Sequence, residues 1–324
     1  MLVISKSDIE NIFSMKEAIE ADKEALRMYT EGGTTVPLRT NIDAKNGQNL
    51  FMPAYVSELN TTGIKIVSVF PNNPSLGKPA VPAQMVLLDG ETGEVCAMID
   101  GTYLTQLRTG AVQGAATDYL ACADAKEAVL IGAGGQAESQ LAAMLVVRDL
   151  DRVGVVDLNR EFAEKFVARM NEKFASYNTE IYLVEDVDAA ISNADIITAV
   201  TTSKRPVFDG SLVKPGAHVN GVGAYTSEMK EVPVEAIAKA DVVVVDTFDG
   251  VFAEAGDVLS ALEQNLKTKE DFVEMGTLAL DASKGRQSDD QITFFKSVGT
   301  AVLDVVVAHK IYEKARELGI GTEI

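Results

Sequence analysis

Three cations lie in unusual surroundings in the first third of the chain. Lys65 lies inside the apolar run 64–70 (IKIVSVF), and Arg108 lies in a helix-like stretch, 102–122, that is otherwise nearly uncharged. Arg39 follows Val36-Pro37-Leu38. Any one of them is equally well explained by a structural salt bridge or by a side chain that reaches to solvent. Because arginine can hold a carboxylate through two parallel hydrogen bonds, the three together favour a site for a small anion, most simply a carboxylate.

A glycine-rich turn marks a second candidate site. Residues 128–137 read AVLIGAGGQA, in which the glycine pattern directly follows an apolar strand and opens a helix. Gly132 permits the tight turn, Gly134 lets the backbone approach a pyrophosphate, and Ala137 keeps helix and strand close. The helix N-terminus offers free N–H groups to the phosphates. The pattern predicts dinucleotide contacts at Gly132, Gly134, Gly135, Gln136 and Ala137, against the alternative of a turn that binds nothing.

Asp157 adds an independent signal and addresses the choice of cofactor. It ends the next apolar strand, twenty residues after Ala137, where an acidic residue hydrogen-bonds a ribose 2′-hydroxyl. A carboxylate there repels a 2′-phosphate, so NAD(H) is the favoured cofactor. Arg160 close by keeps NADP(H) as an alternative.

Further cofactor contacts are predicted where two later strands end. The carboxyl ends of strands face the ligand crevice in an open parallel sheet. These positions are Thr201 and Thr202 after the fourth strand, and Gly221, Val222 and Gly223 at the end of the fifth. Taken singly, each is equally well explained as an ordinary strand-to-loop residue.

The elements that position these residues fall into two regions with different patterns of predicted secondary structure. A helix is predicted over 15–31 with its acidic residues facing away from its apolar side, then a hairpin-rich region over 36–100, and a helix over 102–122. Beyond residue 126, apolar strands alternate with helices, which indicates a parallel sheet covered on both faces. The strands are predicted at 128–131, 153–156, 181–184, 196–200, 218–222 and 242–245, and a last helix at 293–318. We therefore predict an α/β protein with a Rossmann domain, 123–292, inserted in an α+β substrate domain, 1–122 plus 293–324.

Composition excludes several classes of function. The 324 residues suit two domains, and 29 basic against 48 acidic residues give a net charge of −19. Such a charge argues against binding nucleic acid or an anionic membrane. Two cysteines and two histidines are too few for a Cys/His metal site, so no metal is expected. No apolar run approaches a membrane span of about 20 residues, and the first residues lack a signal-peptide pattern, so a cytoplasmic protein is expected.

The chain resembles the ornithine cyclodeaminase/mu-crystallin family over essentially its whole length. The stretches that carry the resemblance are PLR at 37–39, FMPAY at 51–55, GIKIVSVFPNNP at 63–74, DGETGEVCAMIDGTYLTQLRTGA at 89–111, the glycine turn, and ITFFKSVGTAVLD at 292–304. The resemblance implies a homodimer whose substrate domain also dimerises, and NAD(P)-dependent chemistry on a small amino or imino acid. It implies substrate binding by Arg39, Lys65 and Arg108, of which Lys65 and Arg108 are the catalytic candidates. It also implies a cofactor-phosphate contact at Thr109 and a position beside the nicotinamide at Ser297.

One departure from the family pattern bears on the reaction. The loop after the fifth Rossmann strand typically reads GADAPGK in the cyclodeaminases and related alanine dehydrogenases, with a catalytic aspartate. Here residues 220–231 read NGVGAYTSEMKE, so Tyr225 replaces the aspartate and Met229 the lysine. A phenol, whose pKa is ordinarily about 10, is a poor substitute for a carboxylate base.

Ketimine reduction needs less acid–base machinery, because a protonated cyclic imine already carries an electrophilic carbon. The sequence therefore favours a cyclic ketimine reductase of the pyrroline-2-carboxylate type. Asp157 argues weakly against a reductase, because it favours NAD(H) whereas biosynthetic reductions more often use NADPH. The alternatives are an ornithine cyclodeaminase that uses another base, an alanine-type amino acid dehydrogenase, and a non-catalytic binding protein like mu-crystallin.

Overall fold

The computed structural model describes residues 1–324, which form two units. Unit 1 comprises Met1–Arg108 and Thr300–Ile324, and unit 2 comprises Thr109–Gly299. The strands are β1 Leu2–Ile4, β2 Thr34–Thr35, β3 Thr40–Ala44, β4 Gly47–Val56, β5 Thr61–Val69, β6 Ala83–Asp89, β7 Val95–Asp100, β8 Glu127–Ile131, β9 Arg152–Val156, β10 Glu180–Leu183, β11 Ile196–Ala199, β12 His218–Gly221, β13 Val242–Val245, β14 Phe272–Glu274, β15 Thr293–Lys296 and β16 Thr322–Glu323.

Eleven α-helices accompany these strands. They are α1 Lys6–Ile12, α2 Met15–Thr30, α3 Gly101–Leu120, α4 Ala137–Val147, α5 Arg160–Lys173, α6 Val187–Asn193, α7 Val234–Lys239, α8 Phe248–Glu254, α9 Gly256–Glu263, α10 Met275–Leu280 and α11 Ala301–Leu318. No helix combines the length and the apolar character that a membrane crossing requires.

Unit 1 is built on a mixed sheet. Its strand order is β16-β1-β7-β6-β5-β4-β2, with β3 paired to β4, and neighbours from β4 to β7 run antiparallel. Helix α11 packs against β4, β5, β6 and α2. Along β5 the residues alternate between the two faces, and Thr61, Gly63 and Lys65 are buried on one of them. The sequence thus places Lys65 on an inward-facing position of a central strand.

Unit 2 is a sheet of eight parallel strands in the order β10-β9-β8-β11-β12-β15-β13-β14. Every residue of β11, β12, β13 and β15 is buried, as expected for a sheet covered on both faces. The chain first adds strands on one side of β8 and then on the other, so the direction of winding reverses between β8 and β11. This confirms the predicted α/β fold with a Rossmann-like parallel sheet.

The structure corrects the prediction for the segment 293–318. We predicted one helix, but Thr293–Lys296 is strand β15, hydrogen-bonded between β12 and β13, and the helix begins only at Ala301. The four-residue run TFFK is buried on both faces, and periodicity alone does not distinguish so short a run from a helix.

The unit boundaries also differ from the prediction. The contacts divide the chain after Arg108 and after Gly299, where we predicted 122/123 and 292/293. Assigning 293–299 to the substrate domain was wrong because β15 is a strand of the second sheet. The second half of α3 likewise groups with unit 2.

Candidate active site

Lys65 and Arg108 converge on a carboxylate that the sequence analysis did not single out. The Lys65 Nζ lies 2.8 Å from one carboxylate oxygen of Asp304 and 2.7 Å from the other. The Arg108 Nε lies 2.8 Å from Asp304 Oδ1. All three side chains are almost completely buried. We call Lys65, Arg108 and Asp304 the buried charge cluster.

Backbone packing explains how α11 brings Asp304 to β5. Gly63 precedes Lys65 on the inward face of β5, and a Cβ added there would lie 3.0 Å from Val305 Cγ2 and 2.7 Å from Met85 Cε. Glycine therefore allows α11 to approach the strand closely. Asp304 lies in the first turn of α11, where the helix dipole favours a negative charge.

The surroundings of the cluster leave an excess of positive charge. The pKa of Lys65 is lowered to about 7, chiefly by burial, next by the charge of Arg108 and to a smaller degree by that of Arg39, while Asp304 opposes the lowering. The structure therefore brings the three predicted cations within electrostatic reach of one another in unit 1. Lys65 and Arg108, two of these cations, share one carboxylate in direct contact, Asp304.

A second acid does not offset this excess. Asp22 is fully buried on α2, and neither of its carboxylate oxygens has a hydrogen-bond partner. Burial raises the pKa of Asp22 well above its ordinary value, although the charge of Arg108 opposes the rise. The raised pKa favours the neutral acid. The predicted arrangement of helix 15–31, with its acidic residues away from the apolar side, is therefore wrong for Asp22, which lies on the buried side.

The cluster also has unused hydrogen-bonding capacity. Arg108 Nη1 is buried and has no hydrogen-bond partner. A buried guanidinium donor without a partner is costly, so a bound anion would satisfy it. The arrangement is chemically suited to a small carboxylate, held by a charged, bidentate donor beside an ammonium group.

Sequence reasoning missed Asp304 and Asp22, although a signal existed for one of them. Asp304 is the sole charge within AVLDVVVA, a helix stretch that is otherwise entirely apolar. A lone acid on a buried helix needs a cation partner, so this rule indicates that Asp304 belongs to a buried ion pair, without identifying the partner. Asp22 gave no such signal, because charged residues surround it in the sequence.

In unit 2 the glycine turn has the shape that a pyrophosphate requires. Gly132 has φ 103°, and a Cβ there would lie 2.8 Å from the Val200 carbonyl oxygen, so this position requires glycine. Gly134 and Gly135 are exposed, and a Cβ on either would meet no atom within 4 Å. Space on the ligand side of the turn is therefore open to a phosphate.

The helix that follows the turn also fits a dinucleotide. Helix α4 begins at Ala137, and its N-cap residue, Gln136, makes no side-chain capping hydrogen bond. The Ala137 N–H donates to the Gly134 carbonyl oxygen at 3.1 Å, so the N–H groups that follow it in the first turn are the ones available to phosphate oxygens.

Asp157 lies directly beside the glycine turn. Its Oδ2 accepts a hydrogen bond from the Ala133 N–H at 2.8 Å, and its Oδ1 accepts from the Asn159 N–H at 2.8 Å. Arg160 is held by Glu185 through contacts of 2.5 and 3.0 Å and by Glu164 at 3.0 Å. The cation that kept NADP(H) as an alternative is thus already paired with two carboxylates.

The other predicted cofactor positions of unit 2 lie at or near the carboxyl ends of its strands. A Cβ on Gly223 would lie 2.1 Å from the Thr201 backbone nitrogen, so the loops after β11 and β12 touch. Thr202 is exposed and Val222 is buried. Thr109 is half-buried on α3, next to Gly110, where a Cβ would lie 2.4 Å from the Ser139 carbonyl oxygen of α4.

Ser297 is held in place by a buried acid at the end of β13. The Asp246 Oδ2 accepts hydrogen bonds from Ser297 Oγ at 2.7 Å, from the Val298 N–H at 3.0 Å and from the Gly299 N–H at 2.9 Å. Burial raises the pKa of Asp246, which these hydrogen bonds oppose. Tyr225, at the position of the family aspartate, is half-buried and packs against the apolar core of unit 2.

Comparison with known proteins gives one consistent group. The model of the ornithine cyclodeaminase/mu-crystallin family matches residues 1–319. A Delta(1)-pyrroline-2-carboxylate reductase of Bacillus cereus is 39% identical over 327 aligned residues, which span all of this chain and 99% of the relative.

Solved structures agree with that comparison. Delta(1)-pyrroline-2-carboxylate reductase of Thermococcus litoralis, in complex with NADH and L-proline, superposes with a TM-score of 0.94 at 38% identity over all of both chains. An archaeal alanine dehydrogenase dimer with bound NAD gives a TM-score of 0.90 at 33% identity, over all of this chain and 98% of the other.

Proposed function

Because this chain belongs to the ornithine cyclodeaminase/mu-crystallin family, we propose that it is an NAD(H)-dependent reductase of a small cyclic imino acid. The proposed substrate is Delta(1)-pyrroline-2-carboxylate, and the product is proline. The observation that carries the proposal is the buried charge cluster, whose positive excess and unused Arg108 donor suit a compact carboxylate. The reductases of Bacillus cereus and Thermococcus litoralis support the choice of substrate.

The cluster supplies binding and a proton. Arg108 and Arg39 neutralise and orient the substrate carboxylate, while Asp304 holds the Lys65 ammonium in place. Reduction of a C=N bond adds a hydride to the carbon and a proton to the nitrogen, which becomes an amine. NADH, when bound, supplies the hydride. Lys65 is the proposed proton donor, since a pKa of about 7 suits proton transfer near neutral pH.

Unit 2 supplies the cofactor contacts in this proposal. The glycine turn and the start of α4 bind the pyrophosphate, and Asp157 binds the adenosine ribose. The full proposed set is Thr109, Gly132, Gly134, Gly135, Gln136, Ala137, Asp157, Thr201, Thr202, Val222, Gly223 and Ser297. NAD(H) is preferred over NADP(H), because the Asp157 carboxylate repels a 2′-phosphate and Arg160 is engaged by Glu185 and Glu164.

We propose that the protein is a homodimer that works in the cytoplasm. The face of the first sheet opposite Lys65 carries apolar side chains that remain exposed in a single chain, among them Ile42, Tyr55 and Ile66. An exposed apolar sheet face is typical of a surface that a second copy covers. Both cysteines are unpaired, as is usual in a reducing compartment.

A spectrophotometric assay tests the proposed reaction. We expect the purified protein to oxidise NADH in the presence of Delta(1)-pyrroline-2-carboxylate and to form proline. NAD-dependent oxidation of alanine in place of this reaction would identify an amino acid dehydrogenase, and ammonia release from ornithine would identify a cyclodeaminase. Cofactor binding without turnover of any of the three would overturn the enzymatic proposal and leave a binding protein.

A further inference from the structure

Glu231 is a fully buried carboxylate that the proposed reaction does not use. It lies in the segment between β12 and α7. Its Oε2 accepts a hydrogen bond from the Thr201 N–H at 2.6 Å. Its Oε1 accepts from the N–H groups of Gly223 at 2.6 Å and Ala224 at 2.8 Å. One side chain therefore ties together the loops that follow β11 and β12.

A buried ion group surrounds this carboxylate. The Lys296 Nζ, at the end of β15, lies 3.8 Å from Glu231 Oε1 and 3.0 Å from Asp257 Oδ2, in the first turn of α9. All three side chains are fully buried. The pKa of Glu231 is raised to about 7; burial is the main cause, the charge of Lys296 opposes the rise, and the charge of Asp257 adds to it.

The sheet topology shows which part of a dinucleotide these loops would face. The glycine turn follows β8, and Asp157 follows β9 and marks the side of the adenosine ribose. A dinucleotide bound across the switch point between β8 and β11 directs its other half toward the ends of β11 and β12. The loops at Thr201 and Gly223 are therefore on the nicotinamide side.

We propose that Glu231 is a positioning residue for the nicotinamide half of the cofactor, acting through the backbone of the loops after β11 and β12. This inference rests on the proposed function, since it requires NAD(H) as the ligand. Glutamine in place of Glu231 turns one of the two acceptor oxygens into an NH2 donor, so at least one of the three backbone N–H groups loses its acceptor, and an unsatisfied buried donor drives a loop to rearrange. Glu231 makes no hydrogen bond to the glycine turn, which touches the loop after β11 only where Gly132 meets Val200 and Thr201, so we expect the pyrophosphate contacts to be affected much less.

Comparing the affinities for NADH and ADP-ribose distinguishes a positioning role of Glu231 from a general structural role. NADH carries both halves of the cofactor, whereas ADP-ribose lacks the nicotinamide. We expect Glu231→Gln to raise the Kd of NADH about tenfold or more, as loss of charged hydrogen bonds predicts, and to leave the Kd of ADP-ribose within about twofold. Isothermal titration calorimetry measures both. Glu228→Gln, an exposed neighbour paired with Lys204, is the matched control and should change neither value.

The unaltered protein provides a test that needs no variant. Protonation of Glu231 removes its charge, so the affinity for NADH should fall as the pH falls from 8 through about 7 to 6, while the affinity for ADP-ribose changes much less. The charged groups that face Glu231 are Lys296 on β15 and Asp257 on α9. Glu231→Gln should abolish the difference between the two ligands in their pH dependence.

Several results would overturn the inference. Equal weakening of NADH and ADP-ribose in Glu231→Gln would show a general structural role, and no weakening would show no role. Parallel pH dependence of both ligands in the unaltered protein would also contradict it. NADH binding without imine reduction would overturn the proposed reaction alone, whereas an unaltered protein that binds no NADH would overturn both.

Discussion

Lys65 owes its chemical character to opposing influences from its neighbours. Burial and the charge of Arg108 lower its pKa, and Asp304 raises it. The net lowering brings the release of the Lys65 proton toward neutral pH. The same side chain therefore has a charge to hold a carboxylate and a proton that it can release.

Lys65→Met tests this dual role, because methionine keeps much of the side-chain length and removes the charge. We expect kcat to fall by about 10²-fold or more, the range for a lost general acid or preorganised charge. The Kd of NADH, measured by calorimetry, should stay within about twofold, since Lys65 is assigned to the proposed substrate site and not to the cofactor site.

Tyr225→Phe provides the contrast to Lys65→Met. The Tyr225 ring packs on the core of unit 2, and phenylalanine preserves that packing. We expect a much smaller loss of kcat than for Lys65→Met. Equal damage would show that the phenol has taken over the role of the family aspartate.

Asp304→Asn should shift the pH dependence of the reaction. If protonated Lys65 is required, kcat/KM falls as the pH rises through about 7. Asp304 raises the pKa of Lys65, so its replacement by a neutral amide lowers that pKa further and moves the fall in kcat/KM to lower pH. A pH profile of kcat/KM for both proteins measures the shift, and an unchanged midpoint would contradict the assigned coupling.

At the scale of elements, two glycines illustrate different reasons for the absence of a side chain. A Cβ on Gly63 would crowd Met85, Leu87 and Val305, whereas a Cβ on Gly134 would meet nothing within 4 Å. The first glycine serves the packing of α11 on β5. The second leaves room for a ligand.

The two alanine variants should therefore behave in opposite ways. Gly63→Ala should lower the free energy of unfolding by about 1–3 kcal/mol, the usual cost of overpacking a core.

Gly134→Ala should change the free energy of unfolding by less than about 0.5 kcal/mol, because the φ of Gly134 is not in the left-handed region. The same variant should raise the Kd of NADH about tenfold or more. Denaturant unfolding and calorimetry measure the two effects. Unchanged NADH affinity in Gly134→Ala would argue against a pyrophosphate at this turn.

The sequence predicted those elements whose evidence is local. The six parallel strands around the glycine turn were recognised because each is a short apolar run followed by a helix or a turn. Strand β15 was not, because TFFK directly precedes the long helix α11 and is too short to show its own period.

Partners that are distant in the chain were beyond sequence reasoning. Lys65 and Asp304 are 239 positions apart, and nothing local to either names the other. The same holds for Glu231, whose partners Thr201 and Lys296 become neighbours only when β11, β12 and β15 pair. The sequence indicated which cations to examine, but only the folded structure shows which carboxylate lies beside them.

At the scale of the whole molecule, the proposed dimer can be tested at the exposed sheet face. Ile66 is 39% exposed on the face of β5 opposite Lys65. Ile66→Glu places a charge on that face and should convert the dimer to a monomer at micromolar concentration, measured by sedimentation velocity.

Leu318→Glu is the matched control for this variant. Leu318 is an exposed apolar residue at the end of α11, a helix that packs on the other face of the sheet. We expect this variant to remain dimeric. Dissociation by both variants, or by neither, would contradict an interface at the sheet face.

The assembly of unit 1 from both ends of the chain has a consequence for synthesis in the cell. Lys65 and Arg108 emerge from the ribosome early, but their counter-ion on α11 is made only after nearly all of unit 2. At about 5–20 residues per second, that delay is about 10–40 s. Until then the nascent first segment has two cations destined for burial without their carboxylate, and its central strands lack the helix that covers them. The inserted unit, continuous in sequence, is free to complete its own sheet first, so synthesis from the N-terminus favours unit 2 as the earlier folding unit.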